Sequence, residues 1–455
     1  MTLRHGLPRR LSRCCNRTAP FNIICFVTTF FGEDVMGILR IKGEHELLCS
    51  VSVHGAKNSV LPIIAASIIA GGETVLHNCP NLSDVGAAIK ILRHLGCSAY
   101  REGGSVIINS ATISRSDIPH ELMREMRSSV IFLGAILART GEAKLSMPGG
   151  CELGPRPIDL HVNALEQLGA EITESGGNIL CTAKKMRGAR LNLSFPSVGA
   201  TENAMLAAAF ADGTSVITNA AREPEIEDLQ RYLQALGIDV NGAGSSTVCV
   251  RGNDDVTTVK SGVEHRVIPD RIVASTLMAA AAVTKSDVEL TDVVPAHFTA
   301  VTNTLREMGC RIETGNNTVR IRSDGRLKSV RPIKTEPYPG FPTDAQPQLM
   351  AAATRAEGTT VFVENIFENR YRHAGELRRL GADIVTEGRA AMVTGITKLH
   401  GAQVVATDLR GGAALLVAAL CAEGTTEISE LSHIDRGYDN IEQTLRTLGA
   451  DIARV

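Results

Sequence analysis

Tryptophan is absent from this 455-residue chain, and aromatic residues are few, with 11 Phe and 5 Tyr. The hydrophobic core must therefore consist of closely packed Ala, Val, Ile and Leu. An excess of basic charge is also absent, because the formal net charge is −2, and this excludes a general nucleic-acid-binding protein. An anionic ligand must instead be met by basic residues gathered at one site.

Metal motifs and long hydrophobic runs are missing as well. None of the 11 cysteines forms a C-x-x-C pair, and the chain has no H-E-x-x-H motif, P-loop or dinucleotide-binding glycine motif. We expect reduced thiols, mostly in the core, and no metal. Charged residues or glycines break every apolar run within about a dozen residues, so no membrane span is predicted.

The first 35 residues differ in composition from the rest. Five arginines precede an apolar run at residues 21–31. This pattern resembles a signal peptide, but the run is too short to span a bilayer and no small-residue cleavage site follows it. We predict that residues 1–35 are a dispensable extension and that the fold begins near Met36; a targeting segment is the alternative.

A short pattern, Leu-x-x-Leu/Met-Gly, occurs six times at intervals of about 70 residues. Glycine after such a leucine pair predicts a helix that ends in a left-handed residue. The six glycines are Gly96, Gly169, Gly237, Gly309, Gly381 and Gly449. An Ala-rich helix, a turn and a strand-like run precede each pattern, so the chain is predicted to be an α/β protein of six βαβ-containing units. Ala-rich helices with few polar positions must be buried on all sides, which favours helices inside and sheets outside. Six units favour two domains of three units each.

One loop stands out by its glycines and prolines. Residues 146–157 contain three of each, and Cys151 directly follows Gly149-Gly150. A thiol in such a loop is predicted to be accessible, and Arg156 would favour its thiolate, so Cys151 is a candidate acid or nucleophile. A rigid turn with an incidental cysteine is the alternative.

Other candidates stand at predicted helix starts and in loops. Lys57 begins the first small-residue helix, where free N–H groups favour an anion; a solvated lysine is the alternative. Asp344 follows Pro342-Thr343, and a helix cap is its simplest interpretation, with a positioned base as the functional one. Four loop arginines are either surface ion-pair partners or ligands for phosphate and carboxylate: Arg127, Arg370, Arg410 and Arg436.

Seven motifs occur in the order found in one enzyme family. They are Gly55-Ala56-Lys57-Asn58, Pro148-Gly149-Gly150-Cys151 through Arg156-Pro157-Ile158-Asp159-Leu160-His161, Ser197-Val198-Gly199-Ala200-Thr201, Arg222-Glu223-Pro224-Glu225-Ile226, the segment 340–344, Glu368-Asn369-Arg370 and the segment 433–437. From about residue 36 to the end, the sequence resembles the bacterial UDP-N-acetylglucosamine 1-carboxyvinyltransferases, which are enolpyruvyl transferases. The resemblance implies a two-domain inverse α/β barrel, with residues 57–267 as domain 1 and residues 36–56 plus 268–455 as domain 2.

The resemblance also implies a reaction and its residues. The enolpyruvyl group of phosphoenolpyruvate would pass to the 3-hydroxyl of UDP-N-acetylglucosamine, with Cys151 as the acid, Asp344 as the base and Lys57 as the third catalytic residue. The implied phosphoenolpyruvate ligands are Lys57, Asn58, Arg127, Arg156, Arg410 and Arg436. The implied sugar-nucleotide ligands are Asn58, Arg127, Arg156, Pro157, Ile158, Asp159, Leu160, Ser197, Val198, Gly199, Asp344 and Ile366, with Glu223 and Arg370 in support.

The resemblance further implies a cytoplasmic enzyme without a cofactor, a membrane or a nucleic-acid partner. It also implies a covalent pyruvate-type adduct on Cys151 and reaction of that thiol with fosfomycin. Transfer to another acceptor, such as shikimate 3-phosphate, and a non-catalytic paralogue are the alternatives. Three departures from the family stand out: Phe195-Pro196 where some relatives have lysine, Gly411-Gly412 after Arg410, which is expected to loosen that helix start, and Cys49 at a usual glycine position.

Overall fold

The computed structural model describes residues 37–126, 128–146, 158–252 and 259–455. The predicted extension, Arg127 and the loop with Cys151, Arg156 and Pro157 lie outside the described residues. The helices of the described part are α1 (Lys57–Ala70), α2 (Ser83–His94), α3 (His120–Glu125), α4 (Phe132–Thr140), α5 (Asp159–Gln167), α6 (Val198–Ala208), α7 (Pro224–Ala235), α8 (Arg271–Val283), α9 (Thr299–Glu307), α10 (Gln346–Ala353), α11 (His373–Arg379), α12 (Leu409–Leu420), α13 (Ser432–Asp435) and α14 (Ile441–Thr447).

The strands are short. They are β1 (Leu39–Lys42), β2 (Ser50–Ser52), β3 (Glu73–His77), β4 (Ser98–Glu102), β5 (Ser105–Asn109), β6 (Asp117–Ile118), β7 (Glu142–Ser146), β8 (Glu171–Ser175), β9 (Asn178–Thr182), β10 (Arg190–Asn192), β11 (Gly213–Thr218), β12 (Asp239–Asn241), β13 (Thr247–Gly252), β14 (Val263–Arg266), β15 (Asp287–Thr291), β16 (Arg311–Thr314), β17 (Thr318–Arg322), β18 (Ile333–Lys334), β19 (Thr359–Val363), β20 (Asp383–Glu387), β21 (Ala390–Thr394), β22 (Leu399–His400), β23 (Gln403–Val405), β24 (Ala422–Glu423), β25 (Thr425–Ser429) and β26 (Asp451–Arg454).

Six four-stranded sheets share one topology. Their strand orders are β14-β3-β5-β4, β6-β7-β9-β8, β10-β11-β13-β12, β2-β15-β17-β16, β18-β19-β21-β20 and β23-β25-β1-β26. In each sheet the first two strands are parallel and the later neighbours are antiparallel. The N-terminal strands β1 and β2 belong to sheets formed mainly by the C-terminal part of the chain. The six-unit α/β fold predicted from the sequence is therefore confirmed.

The six predicted glycine caps are all present. Each glycine has φ between 91° and 104° and follows the C-cap residue of an outer helix (α2, α5, α7, α9, α11 or α14). The next residue donates its N–H to the carbonyl of the first leucine of the pattern, as from Ile238 to Leu233 over 3.0 Å. A side chain would strain this left-handed position, and the glycine thereby allows each helix to end in the same tight turn.

The inner helices form two separate cores. Helices α1, α4 and α6 pack on one another in the first half, as do α8, α10 and α12 in the second. One core contains buried residues between 60 and 267, and the other contains buried residues between 39 and 53 and between 273 and 452. In α1 every residue except Asn58 is buried, which accounts for the predominance of Ala, Val, Ile and Leu in this helix. The domain boundaries given above remain a prediction.

Candidate active site

The candidate site is built where two connecting segments, before α1 and before α8, lie side by side. The N–H of Ala56 donates to the carbonyl of Ile268 over 2.7 Å. The N–H of Lys57 donates to Asp270 Oδ2 over 3.2 Å, and the other oxygen of Asp270 caps α8. These contacts fix Lys57, the first residue of α1, against the start of α8.

Lys57 and Arg436 share one carboxylate, which belongs to Asp84 in the first turn of α2. Lys57 Nζ lies 2.5 Å from Asp84 Oδ2, and Arg436 Nε lies 2.9 Å from Asp84 Oδ1. The side chain of Asp84 is 1% exposed. Because α2 belongs to the first half and Arg436 to the second, this ion triad joins the two halves.

Burial and charge set the protonation of the triad. Burial is the main reason why the pKa of Lys57 is lowered to about 8; Arg436 and Arg410 act in the same direction, and Asp84 opposes them. Burial alone would raise the pKa of Asp84, but Lys57 and Arg436 hold it below its usual range. Asp84 is therefore ionised near neutral pH, and Lys57 is mostly protonated there but loses its proton as pH rises through about 8.

Asp344 is not the cap of a helix, so the simplest interpretation of its sequence position is wrong. Helix α10 begins at Gln346, and its N-cap residue is Ala345. The carboxylate of Asp344 instead accepts hydrogen bonds through Oδ1, from Arg410 Nε at 2.9 Å and from an Arg370 terminal nitrogen at 3.4 Å. No described residue donates to Oδ2, which leaves this oxygen for a ligand.

The arginines around Asp344 keep it ionised. Burial would raise the pKa of Asp344, but Arg410, Arg370 and the more distant Arg271 together hold it well below its usual range. Arg370 is 2% exposed and also donates to the carbonyl of Thr343 over 2.9 Å. Asp344 is thus a negative charge held between fixed cations, and it is a weak base until a ligand changes its surroundings.

Arg410 stands on a helix start that the structure holds firmly. Asp408 caps α12 by accepting the N–H groups of Arg410 and Gly411, each over 3.0 Å. A Cβ atom on Gly412 would lie 2.6 Å from Ile434 Cγ1, so the glycine permits close packing there. The cap and the packing thus support this helix start, and the expectation that Gly411-Gly412 loosens it stays a prediction.

A buried ion pair, Arg271 with Glu225, and a second buried carboxyl group, that of Glu223, belong to the same region of the site. Arg271 Nε donates to Glu225 Oε1 over 3.0 Å, and both side chains are buried. Burial raises the pKa of Glu223, and its Oε2 is buried without a hydrogen bond to a described residue. Glu223 thus offers a buried oxygen for a partner.

Six of the predicted sugar-nucleotide residues lie at the starts of α5 and α6. Residues 158–160 lead into α5, and Ser197 caps α6 by accepting the N–H of Ala200 over 3.4 Å. A Cβ on Gly199 would lie 3.0 Å from His161 Cε1, so these two helix starts touch. No hydrogen bond between described residues joins residues 197–199 to the Asp344 cluster. Asn58 and Ile366 are half-buried, and Asn58 has no side-chain hydrogen bond to a described residue.

Sequence reasoning missed Asp84, Arg271 and Asp270. Asp84 stands in the first turn of a helix and Asp270 at an N-cap, where a helix-stabilising role is the ordinary interpretation of an acid. Arg271 is the first residue of α8, and its buried pair with Glu225 depends on a contact between distant segments. Within the described ranges, no cluster of His, Cys, Asp and Glu is arranged to hold a metal ion. No described helix has the length and apolar character needed to cross a membrane.

Comparison with known proteins first establishes the class of protein to which this chain belongs. The family model for EPSP synthase (3-phosphoshikimate 1-carboxyvinyltransferase) matches residues 41–445. The enolpyruvyl transferase NikO from Streptomyces tendae has a similar structure, with a TM-score of 0.83 and 26% identity, over 92% of this chain and 99% of its own. An EPSP synthase from Acinetobacter baumannii shares the fold, with a TM-score of 0.70 and 20% identity over 92% of this chain and all of its own. The fold is that of the enolpyruvyl transferases.

The sequences of curated relatives identify one family within this class. UDP-N-acetylglucosamine 1-carboxyvinyltransferase 2 of Caldanaerobacter subterraneus subsp. tengcongensis is 48% identical over 420 residues, which cover 92% of this chain and 100% of the relative. UDP-N-acetylglucosamine 1-carboxyvinyltransferase 1 of Symbiobacterium thermophilum is 48% identical, over 96% of this chain and 98% of its own. The chain belongs to the family of the UDP-N-acetylglucosamine 1-carboxyvinyltransferases, and the resemblance found in its motifs is confirmed.

Proposed function

We propose that the protein transfers the enolpyruvyl group of phosphoenolpyruvate to the 3-hydroxyl of UDP-N-acetylglucosamine and releases phosphate, the first committed step of peptidoglycan synthesis. The observation that carries the proposal is the ionised Asp344 carboxylate, bound by Arg410 and Arg370 through one oxygen only. The names of relatives at 48% identity support this sugar nucleotide as the acceptor.

The buried cations suit the first substrate. Phosphoenolpyruvate is a small polyanion, and fixed cations stabilise such a charge best where water is excluded. Lys57 and Arg436 would meet it, with Arg436 at the carboxylate, and Arg410 would lie beside them. Arg127 and Arg156, outside the described residues, are assigned to the phosphate. Asp84 compensates part of this positive charge before the substrate arrives.

The reaction proceeds by addition and elimination. Cys151 delivers a proton to C3 of the enol while the sugar 3-hydroxyl oxygen adds to C2, and Asp344 takes the hydroxyl proton. The C2–O bond to phosphate then breaks and phosphate leaves, while the Cys151 thiolate takes back a proton from C3 to restore the double bond. A trianionic substrate beside the arginines weakens their hold on Asp344 and raises its pKa, which makes it a better base at that moment. Its negative charge also stabilises oxocarbenium character at C2.

The remaining assignments follow the family. The starts of α5 and α6 would hold the nucleotide, with Pro157 and Ile366 beside it, and Asn58 and Glu223 would support the sugar and the intermediate. We propose that the enzyme works in the cytoplasm without a metal or other cofactor. Cys151 would also form the covalent adduct with phosphoenolpyruvate.

The test is phosphate release from phosphoenolpyruvate with each of two acceptors. UDP-N-acetylglucosamine should support turnover, and shikimate 3-phosphate should not. Release with the shikimate compound alone would establish the first alternative. Binding of both substrates without any release would establish a non-catalytic paralogue.

A further inference from the structure

A buried carboxylate close to the candidate base takes no part in the reaction scheme above. Glu364, just after β19, is 1% exposed. Its Oε1 accepts hydrogen bonds from Thr335 Oγ1 at 3.0 Å and from the N–H groups of Ile366 at 2.9 Å and Phe367 at 3.1 Å. Thr343 Oγ1 donates to both oxygens, at 3.1 and 3.0 Å. One side chain thus binds donors from three separate segments.

These donors lie in the segments that carry the candidate site. Thr343 directly precedes Asp344, and residues 366 and 367 lead into the turn that carries Arg370. Arg370 returns to the first segment by donating to the Thr343 carbonyl over 2.9 Å. The contacts therefore close a ring through Glu364, Thr343 and Arg370, and Asp344 lies on this ring.

The segment before Asp344 needs such support. Between β18 and α10, residues 335–345 contain no regular strand or helix, and a single bridge pairs Thr335 with Phe341. A carboxylate has no donor and up to four acceptor positions, so it can bind several converging donors at once, whereas an amide brings an NH₂ group that would face some of them. Fully satisfied buried networks of this kind hold one geometry.

We propose that Glu364 is a positioning residue for the reaction: it holds the Thr343-Asp344 segment and the Arg370 turn in register, so that Asp344 Oδ2 faces the acceptor hydroxyl. This inference rests on the proposed function. Displacement of a reacting group by about 1 Å commonly costs 10²-fold in rate. Glu364 itself touches neither substrate nor reacting atoms, and its effect passes through Asp344.

The test uses Glu364→Gln, which preserves the size of the side chain. Wild-type phosphate release with UDP-N-acetylglucosamine is measured first, and its absence would refute the proposed function rather than this inference. For Glu364→Gln we expect kcat to fall at least about tenfold, with an unchanged KM for phosphoenolpyruvate. The acidic limb of the kcat profile should also move to higher pH, because an Asp344 that is less firmly paired with Arg410 is protonated more readily.

Two threonine variants keep the test decisive if Glu364→Gln does not fold. Thr343→Val removes the hydroxyl that reaches Glu364 and should reproduce the kcat loss, whereas Thr343→Ser keeps the hydroxyl and should restore turnover. Thr284→Val is the matched control, because Thr284 is a buried hydroxyl bonded to Ser286 and to the Ala280 carbonyl at the far end of α8. It should lower the melting temperature only. Full kcat and an unmoved pH profile in Glu364→Gln, or in Thr343→Val where Glu364→Gln does not fold, would overturn the proposal.

Discussion

Asp84→Asn should make phosphoenolpyruvate binding more sensitive to alkaline pH. In the wild type, Lys57 loses its proton as pH rises through about 8, so its attraction for the anionic substrate weakens above that pH. Asp84 raises the pKa of Lys57, while burial, Arg436 and Arg410 lower it. Removal of the carboxylate leaves only the lowering influences. The midpoint therefore moves to a more acidic pH.

The size of the effect follows from the pKa. At pH of about 7.5, a pKa of about 8 leaves roughly three quarters of Lys57 charged, and a fall of one unit, about 1.4 kcal/mol, leaves roughly one quarter. Asp84 also competes with the substrate for Lys57 and Arg436. At a pH of about 6 or lower, where Lys57 keeps most of its charge even after such a fall, the variant should bind phosphoenolpyruvate at least as well as the wild type.

The assay is the KM for phosphoenolpyruvate between about pH 5.5 and 9, with saturating UDP-N-acetylglucosamine. Loss of one partner from a buried ion pair costs about 3–5 kcal/mol of stability, so a thermal melt must first establish that the variant is folded. Asp117→Asn is the control, because it removes a carboxylate bound to Arg115 at 2.9 Å on the surface of the same half. Superimposable pH profiles for wild type and Asp84→Asn would refute the reasoning.

Three further results are expected. Asp344→Asn should lower kcat by about 10²–10⁴-fold in protein that a thermal melt shows to be folded, because an amide keeps the shape but takes no proton; near-normal turnover would remove Asp344 as the base. Fosfomycin with UDP-N-acetylglucosamine should label Cys151 alone, with exposed Cys49 as the comparison thiol, and peptide mass spectrometry that finds the label elsewhere would exclude this role. Cys49→Gly should raise the free energy of unfolding by about 1 kcal/mol, since Cys49 has a φ of 77°; a lower urea midpoint would contradict this.

Features that depend on neighbours in sequence were predictable. The Leu, the following Leu or Met, and the Gly of each cap lie within five residues, and the hydrogen bonds they form are local, so all six caps were correctly located. The Ala-rich inner helices were predictable for a similar reason, because a helix that is apolar all round must be buried. The same local reasoning failed at Asp344, where a helix-cap pattern is present but the side chain turns to Arg410 and Arg370.

Features that depend on distant pairs were not predictable. Asp84 and Arg436 are 352 positions apart and meet only because the two halves come together. In the sequence, Asp84 has the position of an ordinary first-turn acid that favours the helix dipole. The need for Gly412 was not predictable for the same reason, because the close approach of Ile434 arises from tertiary packing.

The most direct test of the central claim is the identity of the product formed from phosphoenolpyruvate labelled with carbon-13 in its three-carbon unit. The protein is incubated with this substrate and equal amounts of UDP-N-acetylglucosamine and shikimate 3-phosphate, and the products are separated and analysed by mass spectrometry and carbon NMR. The labelled enolpyruvyl group is expected on the 3-oxygen of the sugar nucleotide, with one phosphate released for each group transferred. Label on the shikimate compound, or on neither acceptor, would contradict the account.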